Sequence, residues 1–322
     1  MNKTKKIKIA LLMPYFGKWP EWIDLFFNSC EKNEFIDYYF FTDCPIPKSY
    51  ADNLKFKSLT FADYCQLVSN RLNIDFHPKS AYKLCGLRPF YAHVHKDLLE
   101  GYDFWGFGDL DVTWGDIHSF YTDKMLKYYN VFSTHSDRCS GHLSIIRNNE
   151  HYRELCFKIK DWKSKLLDDT FHALDEQDLS YLVYPETYFF YKVYRRFLRK
   201  ILHLNWRNEW VVYYKTMPIL NALTFMRLRK LYFKEQHTTP WLSDDGLTWK
   251  DDADTWYYNK GEVTNNKTSK KYIYIHFMFF KKNHFRENWY WKDNFYKLPS
   301  NCDFSDSVVI SKDGISIAAD IQ

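Results

Sequence analysis

The stretch that decides the fold runs from Tyr102 to Val112 and reads Tyr-Asp-Phe-Trp-Gly-Phe-Gly-Asp-Leu-Asp-Val. Its aromatic and apolar part predicts a buried strand, since short continuous apolar runs are typical of strands covered on both faces. The run ends at Asp109 and Asp111, and side chains two residues apart on extended chain point the same way. Ligands bind at the carboxyl ends of strands in open α/β sheets. The two carboxylates therefore predict a site for Mn²⁺ or Mg²⁺ shared with a substrate diphosphate.

The same triplet is also compatible with a strand-end turn or a helix cap. Three-residue D-x-D patterns arise by chance at this aspartate content, and the chain has a second one, Asp252-Ala253-Asp254. That second triplet closes the polar run from Ser243, which predicts a solvated loop. The strand before Asp109 is what favours the first triplet as a metal site.

Length and composition limit the class of protein. The 322 residues are enough for one large α/β domain with additions, and 20% of them are aromatic, which provides surfaces for stacking on sugars and bases. Seven scattered cysteines without a C-x-x-C pattern indicate reduced thiols in the cytoplasm. The basic, then apolar N-terminus resembles a signal peptide but stops at Pro14, so it predicts a first strand. No run reaches transmembrane length.

Strands and helices alternate through the first half, which predicts a parallel or mixed α/β sheet. Pro89 interrupts the last of these helices. A strand over Tyr272–Phe280 and a hairpin at Asp313-Gly314 are predicted near the C-terminus. The predicted strands of the first half are Lys6–Met13, Phe35–Thr42 and Leu54–Phe61, and the predicted helices are Pro20–Cys30, Ala62–Leu72 and Ser80–Leu99.

A basic segment lies between residues 191 and 234, where eleven Lys and Arg side chains meet a single acid, Glu209. Aromatic and aliphatic residues are interleaved with the charges. This pattern is typical of a helix on an anionic membrane surface, and equally of a solvated helical face beside the core. Nothing in the segment resembles a nucleic-acid-binding module, so no nucleic-acid partner is expected.

The Asp109-Leu110-Asp111 triplet after its strand resembles the metal-binding DxD motif of GT-A-fold glycosyltransferases, and the order of features is similar to glycosyltransferase family 8 and its relatives. The resemblance covers most of residues 6–285. It implies a GT-A-like (Rossmann-like) mixed sheet flanked by helices, formed by residues 1–190 and 235–300. Residues 191–234 would be a basic aromatic helical insertion, a candidate membrane-surface or acceptor region, and residues 301–322 a small C-terminal hairpin.

A second matching segment is Tyr274-Ile-His-Phe-Met-Phe-Phe-Lys-Lys282. The resemblance implies that His276 is the third metal ligand and that Lys282, six residues later, contacts phosphate. Lys281 is the neighbouring alternative. The family's intervening Gly and its Pro-Trp after the Lys are absent here. An imidazole with two carboxylates suits Mn²⁺, while an ordinary histidine at a strand end is the plain alternative.

The third segment is Leu174-Asp-Glu-Gln-Asp-Leu179, which resembles the family's Asp-Gln-Asp on the sugar side. Glu176, Gln177 and Asp178 are the favoured register, and Asp175 is included as a candidate. A carboxylate there would stabilise the oxocarbenium-like centre at the anomeric carbon. The alternative is an acidic helix N-terminus, where carboxylates are favoured by the helix dipole.

Further candidates for binding the nucleotide follow from their places at strand ends and on helices. Aromatic rings after the first strand could stack on the base, and cations on the helix before the DxD strand could meet the diphosphate. Gly141-His142, at the start of a later strand, faces donor sugar or acceptor in this interpretation. These nucleotide-binding candidates are Tyr15, Phe16, Gly17, Asp43, Lys83 and Arg88.

The resemblance implies a metal-dependent glycosyltransferase of hexosyltransferase type. It would move a sugar from a nucleotide diphosphate donor to a glycan or lipid-linked acceptor, with retention of configuration, in bacterial surface polysaccharide or lipopolysaccharide synthesis. The enzyme would be cytoplasmic, with a peripheral position on the inner face of the plasma membrane as the alternative. A non-catalytic nucleotide- or glycan-binding protein on the same scaffold is the main alternative. A metal-dependent phosphohydrolase is less favoured, because the chain has neither a P-loop nor an Asp nucleophile motif followed by Thr.

Overall fold

The computed structural model of the protein describes residues 6–186, 193, 196–197, 200, 203, 226–236, 238, 254–268, 270–278, 280–282, 289–300 and 302–318. The chain forms two compact units. The first comprises Met1–Trp19, Phe35–Asp109 and Asp123–Glu235, and the second comprises Pro20–Glu34, Leu110–Thr122 and Gln236–Gln322. The boundary passes between Asp109 and Leu110, so each unit contains one carboxylate of the DxD triplet.

Seven described strands form the sheet of the first unit, in the order β3-β2-β1-β4-β7-β6-β8. Neighbours pair in parallel from β3 to β4, whereas β7 is antiparallel to both β4 and β6, and β8 is parallel to β6. The predicted mixed α/β sheet is therefore confirmed. The strands are β1 (Ile9–Pro14), β2 (Ile36–Thr42), β3 (Leu54–Ser58), β4 (Phe104–Gly108), β6 (Val131–Ser133), β7 (Leu143–Arg147) and β8 (Leu231–Phe233).

The order of these strands turns around at β1, which has β2 on one side and β4 on the other. Such a switch point opens a crevice at the carboxyl ends of the two central strands. The residues that follow β1 and β4 are Tyr15 and Asp109. The deciding stretch, β4, is fully buried along its length. Its burial on both faces explains why it lacks the polar alternation of a surface strand.

Short helices surround this sheet, and α2, the longest helix element among the residues that the structure describes, begins with a capping box between Thr60 and Asp63. The helix predicted over Ser80–Leu99, with its interruption at Pro89, is observed as successive short helical turns over residues 81–94. Pro89 supplies no N–H donor there, and Gly86 lies so close to the His172 carbonyl that a β-carbon would be 2.9 Å from it. The helices are α2 (Phe61–Leu72), α3 (Leu84–Leu87), α4 (Tyr91–Val94), α6 (Asp123–Tyr128), α7 (Glu150–Arg153), α8 (Trp162–Leu167), α9 (Ser180–Val183), α10 (Met226–Arg229), 3₁₀ turns at Ala81–Lys83, Arg88–Phe90 and Leu155–Lys158, and a π-helix at Leu174–Leu179.

The second unit is built on two smaller sheets. One contains the order β10-β9-β12-β13, and the other pairs β5 with β11 in antiparallel register, His276 opposite Val112. The predicted hairpin at Asp313-Gly314 is confirmed between β12 and β13, whereas the strand predicted over Tyr272–Phe280 is limited to β11. The elements are α1 (Ile23–Glu31), β5 (Val112–Trp114), α5 (Ile117–Phe120), β9 (Trp256–Asn259), β10 (Glu262–Asn265), β11 (Tyr274–His276), β12 (Val308–Ser311) and β13 (Gly314–Ile317).

Most of the predicted basic segment, residues 191–234, lies outside the described residues, and so do Asp252 and Ala253. Its last part is described: β8 pairs with β6 and forms an edge of the large sheet. Among the helices that the structure describes, none is both long enough and apolar enough to cross a bilayer.

His95 is buried in the core of the first unit, where its ring stacks on Phe41 at 4.1 Å and its Nε2 lies 3.0 Å from the Tyr64 hydroxyl. Burial, assisted by the charge of Arg71, lowers the pKa of His95 to about 3. Below about pH 6.5, His95 is therefore protonated in the unfolded chain but stays neutral in the folded chain. Stability contributed by neutral His95 is present above this value and is lost as the pH falls.

We expect the free energy of unfolding to fall by about 2 kcal/mol between pH 7.5 and pH 5 because of His95 alone. Urea denaturation at the two pH values measures it. The variant His95→Gln retains a polar partner for Tyr64 but cannot titrate, so its loss should be smaller by that amount. Equal losses in both proteins would contradict this assignment.

Candidate functional site

The loops after β1 and β2 meet at the switch-point edge of the large sheet. The Gly17 N–H donates to Asp43 Oδ1 at 2.7 Å, and the Tyr15 N–H donates to the Phe41 carbonyl at 2.9 Å. Gly17 has a φ of +106°, a conformation that residues with a β-carbon rarely adopt. The structure thus brings together Gly17 and Asp43, two nucleotide-binding candidates from separate segments.

The two aromatic candidates of this edge have different surroundings. Tyr15 stacks on Trp19 with ring centroids 5.1 Å apart, and both rings are partly exposed. Phe16 instead packs against Phe61 and Tyr64 at the core. The Tyr15–Trp19 pair is the better surface for a planar base. Trp19 was not predicted, although its place four residues after Tyr15 was visible in the sequence.

Arg88 links two carboxylates that are far apart in the chain. Its Nη1 donates to Asp175 Oδ2 at 2.9 Å, its Nη2 pairs with Asp109 Oδ1, and its guanidinium lies 5.6 Å from the ring centre of Phe107. Burial alone would lower the pKa of Arg88, but the charges of Asp109 and Asp175 raise it well above its ordinary value. The candidate helix cation, the first DxD carboxylate and one predicted catalytic acid therefore form one ion-paired group.

The acidic segment Leu174–Leu179 is a π-helix, a conformation that often occurs at functional sites. Its acidic side chains contact different segments: Asp175 faces Arg88, Glu176 accepts the Gly141 N–H at 3.2 Å, and Asp178 pairs with Lys165 at 2.7 Å. Gln177 is exposed. Of the predicted catalytic residues, Asp175 and Glu176 thus lie in the group around Arg88 and Asp109.

The pKa values of Asp175 and Glu176 are shifted in opposite directions. Burial raises the pKa of Asp175, and Arg88 offsets only part of this. Burial acts in the same direction on Glu176, but the charges of Arg138 and His135 and the Gly141 N–H outweigh it and lower the pKa. Glu176 is therefore the carboxylate that is kept ionised, as stabilisation of a developing positive charge requires.

Gly141 lies at the centre of this group. A β-carbon at position 141 would lie 2.8 Å from Arg88 Nη1, 3.3 Å from Glu176 Oε1 and 3.5 Å from Asp109 Oδ2. The next residue, His142, has a ligand atom within 4.8 Å of one on Asp109. We call Arg88, Asp109, Gly141, Asp175 and Glu176 the Arg88 cluster. Arg138, whose Nε lies 3.6 Å from Glu176, was not predicted, and no sequence signal marked it.

The second unit contains the other DxD carboxylate. Asp111 Oδ2 lies 3.3 Å from His276 Nε2 and 2.9 Å from Lys281 Nζ. Burial would raise the pKa of Asp111, but the positive groups Lys281 and His276 lower it well below its ordinary value. The structure thus brings together two of the three predicted metal ligands. Of the two adjacent lysines, Lys281 contacts Asp111, whereas Lys282 lies 5.4 Å from the ring centre of Trp289.

The backbone of the DxD triplet is held on this side by two donors. The Trp22 indole N–H donates to the Leu110 carbonyl at 2.8 Å, and the Phe277 N–H donates to the Asp111 carbonyl at 2.8 Å. These bonds fix the carboxylate of Asp111 through its main chain. Trp22 was not predicted as a site residue, because an aromatic residue at the start of an amphipathic helix reads as core.

Lys83 is almost completely buried, and its ammonium group binds residues outside the Arg88 cluster. Its Nζ donates to the carbonyls of Lys165 and Thr170 and, at 3.1 Å, to Asp168 Oδ1. Hydrogen bonds from His172 and Lys83 in turn lower the pKa of Asp168 to about 2. All three donors of an ammonium group are thus used on the loop at 165–170. These contacts indicate a structural role, and diphosphate binding by Lys83 stays a prediction.

No curated protein matches the chain. A similar solved structure is the crystal structure of the glycosyltransferase GlyE in Streptococcus pneumoniae TIGR4, with 11% identity and a TM-score of 0.30. The match covers 74% of this chain and 56% of that one, and a TM-score at this level does not identify a shared fold. The model of a family of unknown function (DUF6625) matches residues 11–303, which is most of the chain, and the protein therefore belongs to that family.

Proposed function

We propose that the protein is a metal-dependent glycosyltransferase that moves a sugar from a nucleoside diphosphate donor to a hydroxyl of a glycan or lipid-linked acceptor. One observation carries the proposal: four separate segments bring Arg88, Asp109, Gly141 and the Asp175–Glu176 pair together at the carboxyl end of β4. A buried cation among carboxylates at a sheet's switch point is an arrangement suited to ligand chemistry.

The role proposed for each residue in the transfer follows from the charge of its side chain. In the transfer, the bond between the anomeric carbon and the diphosphate oxygen breaks with both electrons leaving on the diphosphate. The acceptor oxygen bonds to that carbon, and its proton passes to the leaving diphosphate oxygen. Glu176, kept ionised by Arg138 and the Gly141 N–H, would stabilise the positive charge that develops on the sugar. Arg88 would hold Asp109 and Asp175 in position.

The donor atoms present fit a divalent cation. Asp111 and His276 supply a carboxylate and an imidazole with side-chain atoms 3.3 Å apart, and Asp109, two residues before Asp111 in the chain, supplies the third group of the proposed set. Oxygen ligands with one imidazole suit Mn²⁺, with Mg²⁺ as the alternative. When bound, the ion would neutralise charge on the leaving diphosphate. Lys281, whose Nζ lies 2.9 Å from Asp111 Oδ2, would assist it.

Other parts of the proposal rest on the residues at the strand ends and on the sequence resemblance. Tyr15 or Trp19 would stack on the base, with Gly17 and Asp43 at the same edge. Retention of configuration, a role in bacterial surface polysaccharide synthesis, and contact of the basic segment with an anionic membrane remain predictions. For the membrane contact, charge reversal at Arg195, Arg196, Arg199 and Lys200 should release the protein from anionic vesicles.

The test is release of nucleoside diphosphate. The full-length protein is incubated with a panel of uridine, guanosine and thymidine diphosphate sugars, with Mn²⁺ or with EDTA, and the products are separated by chromatography. Metal-dependent release of one nucleoside diphosphate from one donor is expected. Thermal stabilisation by a nucleotide without any release would favour the non-catalytic binding protein. Release of inorganic phosphate would favour the hydrolase.

A further inference from the structure

Two aromatic side chains of the first unit are exposed next to each other. Tyr82 has 57% of its surface exposed and Phe171 has 42%, and their ring centroids are 5.0 Å apart. Exposed aromatic faces lose contact with water when an apolar surface covers them, so a neighbouring pair is a potential binding surface. We call Tyr82 and Phe171 the aromatic pair.

The backbone under the aromatic pair is fixed. Lys83, next to Tyr82, donates to two carbonyls and a carboxylate on the 165–170 loop that leads to Phe171. Gly86 lies against the carbonyl of His172, where a β-carbon would be only 2.9 Å away. The two segments are thus bound to each other on both sides of the rings. A surface held in place before binding loses little conformational entropy when a ligand arrives.

The aromatic pair lies beside the Arg88 cluster. Tyr82 precedes Arg88 by six residues, and Phe171 precedes Asp175 by four, so the same two segments carry both features. Burial raises the pKa of the Tyr82 hydroxyl, and the charges of Asp109, Arg88 and Asp175 also act on it. A ligand resting on the rings therefore lies on the same two segments that carry Arg88 and Asp175.

The rim of the pair is polar and of mixed sign. Lys79 pairs with Asp169, and His172 Nε2 lies 2.8 Å from Asp168 Oδ2. Such a rim does not favour an anionic lipid surface, which selects positive charge alone. A pyranose ring has an apolar C–H face and polar hydroxyls at its edge, and it matches aromatic rings bordered by hydrogen-bonding groups.

We propose that Tyr82 and Phe171 form the stacking surface for a sugar ring of the acceptor, which is accordingly a carbohydrate. This inference rests on the proposed transferase function and names its acceptor class. The apolar face of the ring covers the aromatic pair, while its hydroxyls reach towards the Arg88 cluster and the charged rim.

Saturation-transfer difference NMR on the full-length protein tests the surface without any donor. The probes are lactose, maltose, cellobiose and N,N′-diacetylchitobiose. At least one should receive saturation at the protons of one ring face. Tyr82→Ala and Phe171→Ala should weaken that binding about fivefold each, whereas Tyr82→Phe should retain it. Tyr50→Ala is the matched control, because Tyr50 is 43% exposed and packs on Phe56 at 4.8 Å.

Saturation that survives Tyr82→Ala, or that is lost equally in Tyr50→Ala, would overturn the proposal, and so would the absence of transfer to all four sugars. Nucleoside diphosphate release by the unaltered protein decides the transferase function separately. If a sugar binds at Tyr82 but no donor is turned over, the transferase is refuted and the surface stands as a glycan-binding site. If a donor is turned over but no sugar binds at Tyr82, the transferase function is supported and the aromatic pair is refuted as its acceptor surface.

Discussion

Replacement of Asp111 by alanine is expected to lower the rate of nucleoside diphosphate release about a thousandfold, equivalent to about 4 kcal/mol of transition-state stabilisation. Asp111 is the carboxylate that contacts both His276 and Lys281. Its removal takes a ligand from the proposed ion and removes the carboxylate that both His276 and Lys281 contact. Initial rates over a range of Mn²⁺ concentrations measure the effect.

Two further variants separate loss of the ligand from loss of structure. Asp111→Asn keeps the side-chain size, and the main-chain bonds from Trp22 and Phe277 remain, so the folded structure should persist while metal affinity falls. Asp254→Asn is the matched control: this carboxylate belongs to the second D-x-D triplet, is buried, and pairs with Lys267. Its rate should stay metal-dependent. Full activity of Asp111→Ala in EDTA would rule out the metal assignment.

Arg88→Met is expected to give the largest loss of stability, about 3–5 kcal/mol, because it leaves the carboxylates of Asp109 and Asp175 without their shared cation. The loss should depend on pH in a defined direction. The pKa of Asp175 is already raised by burial, and removing Arg88 raises it further. A carboxyl with a raised folded pKa destabilises the fold when ionised, so the difference from the unaltered protein should shrink as the pH falls.

Arg147→Met is the matched control for this experiment. Arg147 also lies over a phenylalanine of β4, 4.4 Å from the ring centre of Phe104, but it donates to the carbonyls of Leu126 and Tyr129. These carbonyl partners do not titrate, so the cost of Arg147→Met should change less between pH 5 and 7.5 than the cost of Arg88→Met. Urea denaturation of both variants at the two pH values provides the comparison. An Arg88→Met cost that does not change with pH would contradict the proposed ion pairing.

Local pattern was enough to predict several strands of the large sheet. β2, β3 and β4 lie within the predicted segments, because buried strands need apolar residues whatever surrounds them. β1 ends one residue beyond its predicted segment, and β8 lies in the segment predicted to be a helical insertion. The helix predicted over Ser80–Leu99, with a possible split at Pro89, is divided into short turns, and Gly86 in this segment lies against the carbonyl of His172. Local pattern also could not predict the π-helix at Leu174–Leu179, which requires one residue more per hydrogen-bonded turn than the spacing of an α-helix.

Which charged side chains pair with each other could not be predicted from the sequence, for a different reason. Lys83 and Arg88 are both cations on the segment before β4, yet Lys83 binds the 165–170 loop and Arg88 binds Asp109 and Asp175. Lys281 and Lys282 are neighbours, and only Lys281 contacts Asp111. In these pairs the partners of Lys83 and of Lys281 come from more than eighty residues away, so spacing along the chain holds no information about them.

The sequence by itself therefore determined the buried β4 strand, the carboxylates at its end, the α/β alternation and the acidic segment at 174–179. Each of these depends on neighbouring residues only. Tertiary structure alone decided that Arg88 lies between Asp109 and Asp175, that Gly141 leaves room for them, and that Tyr82 and Phe171 meet at the surface. Those contacts join segments that are brought together only when the strands pair and the sheet buries its apolar faces.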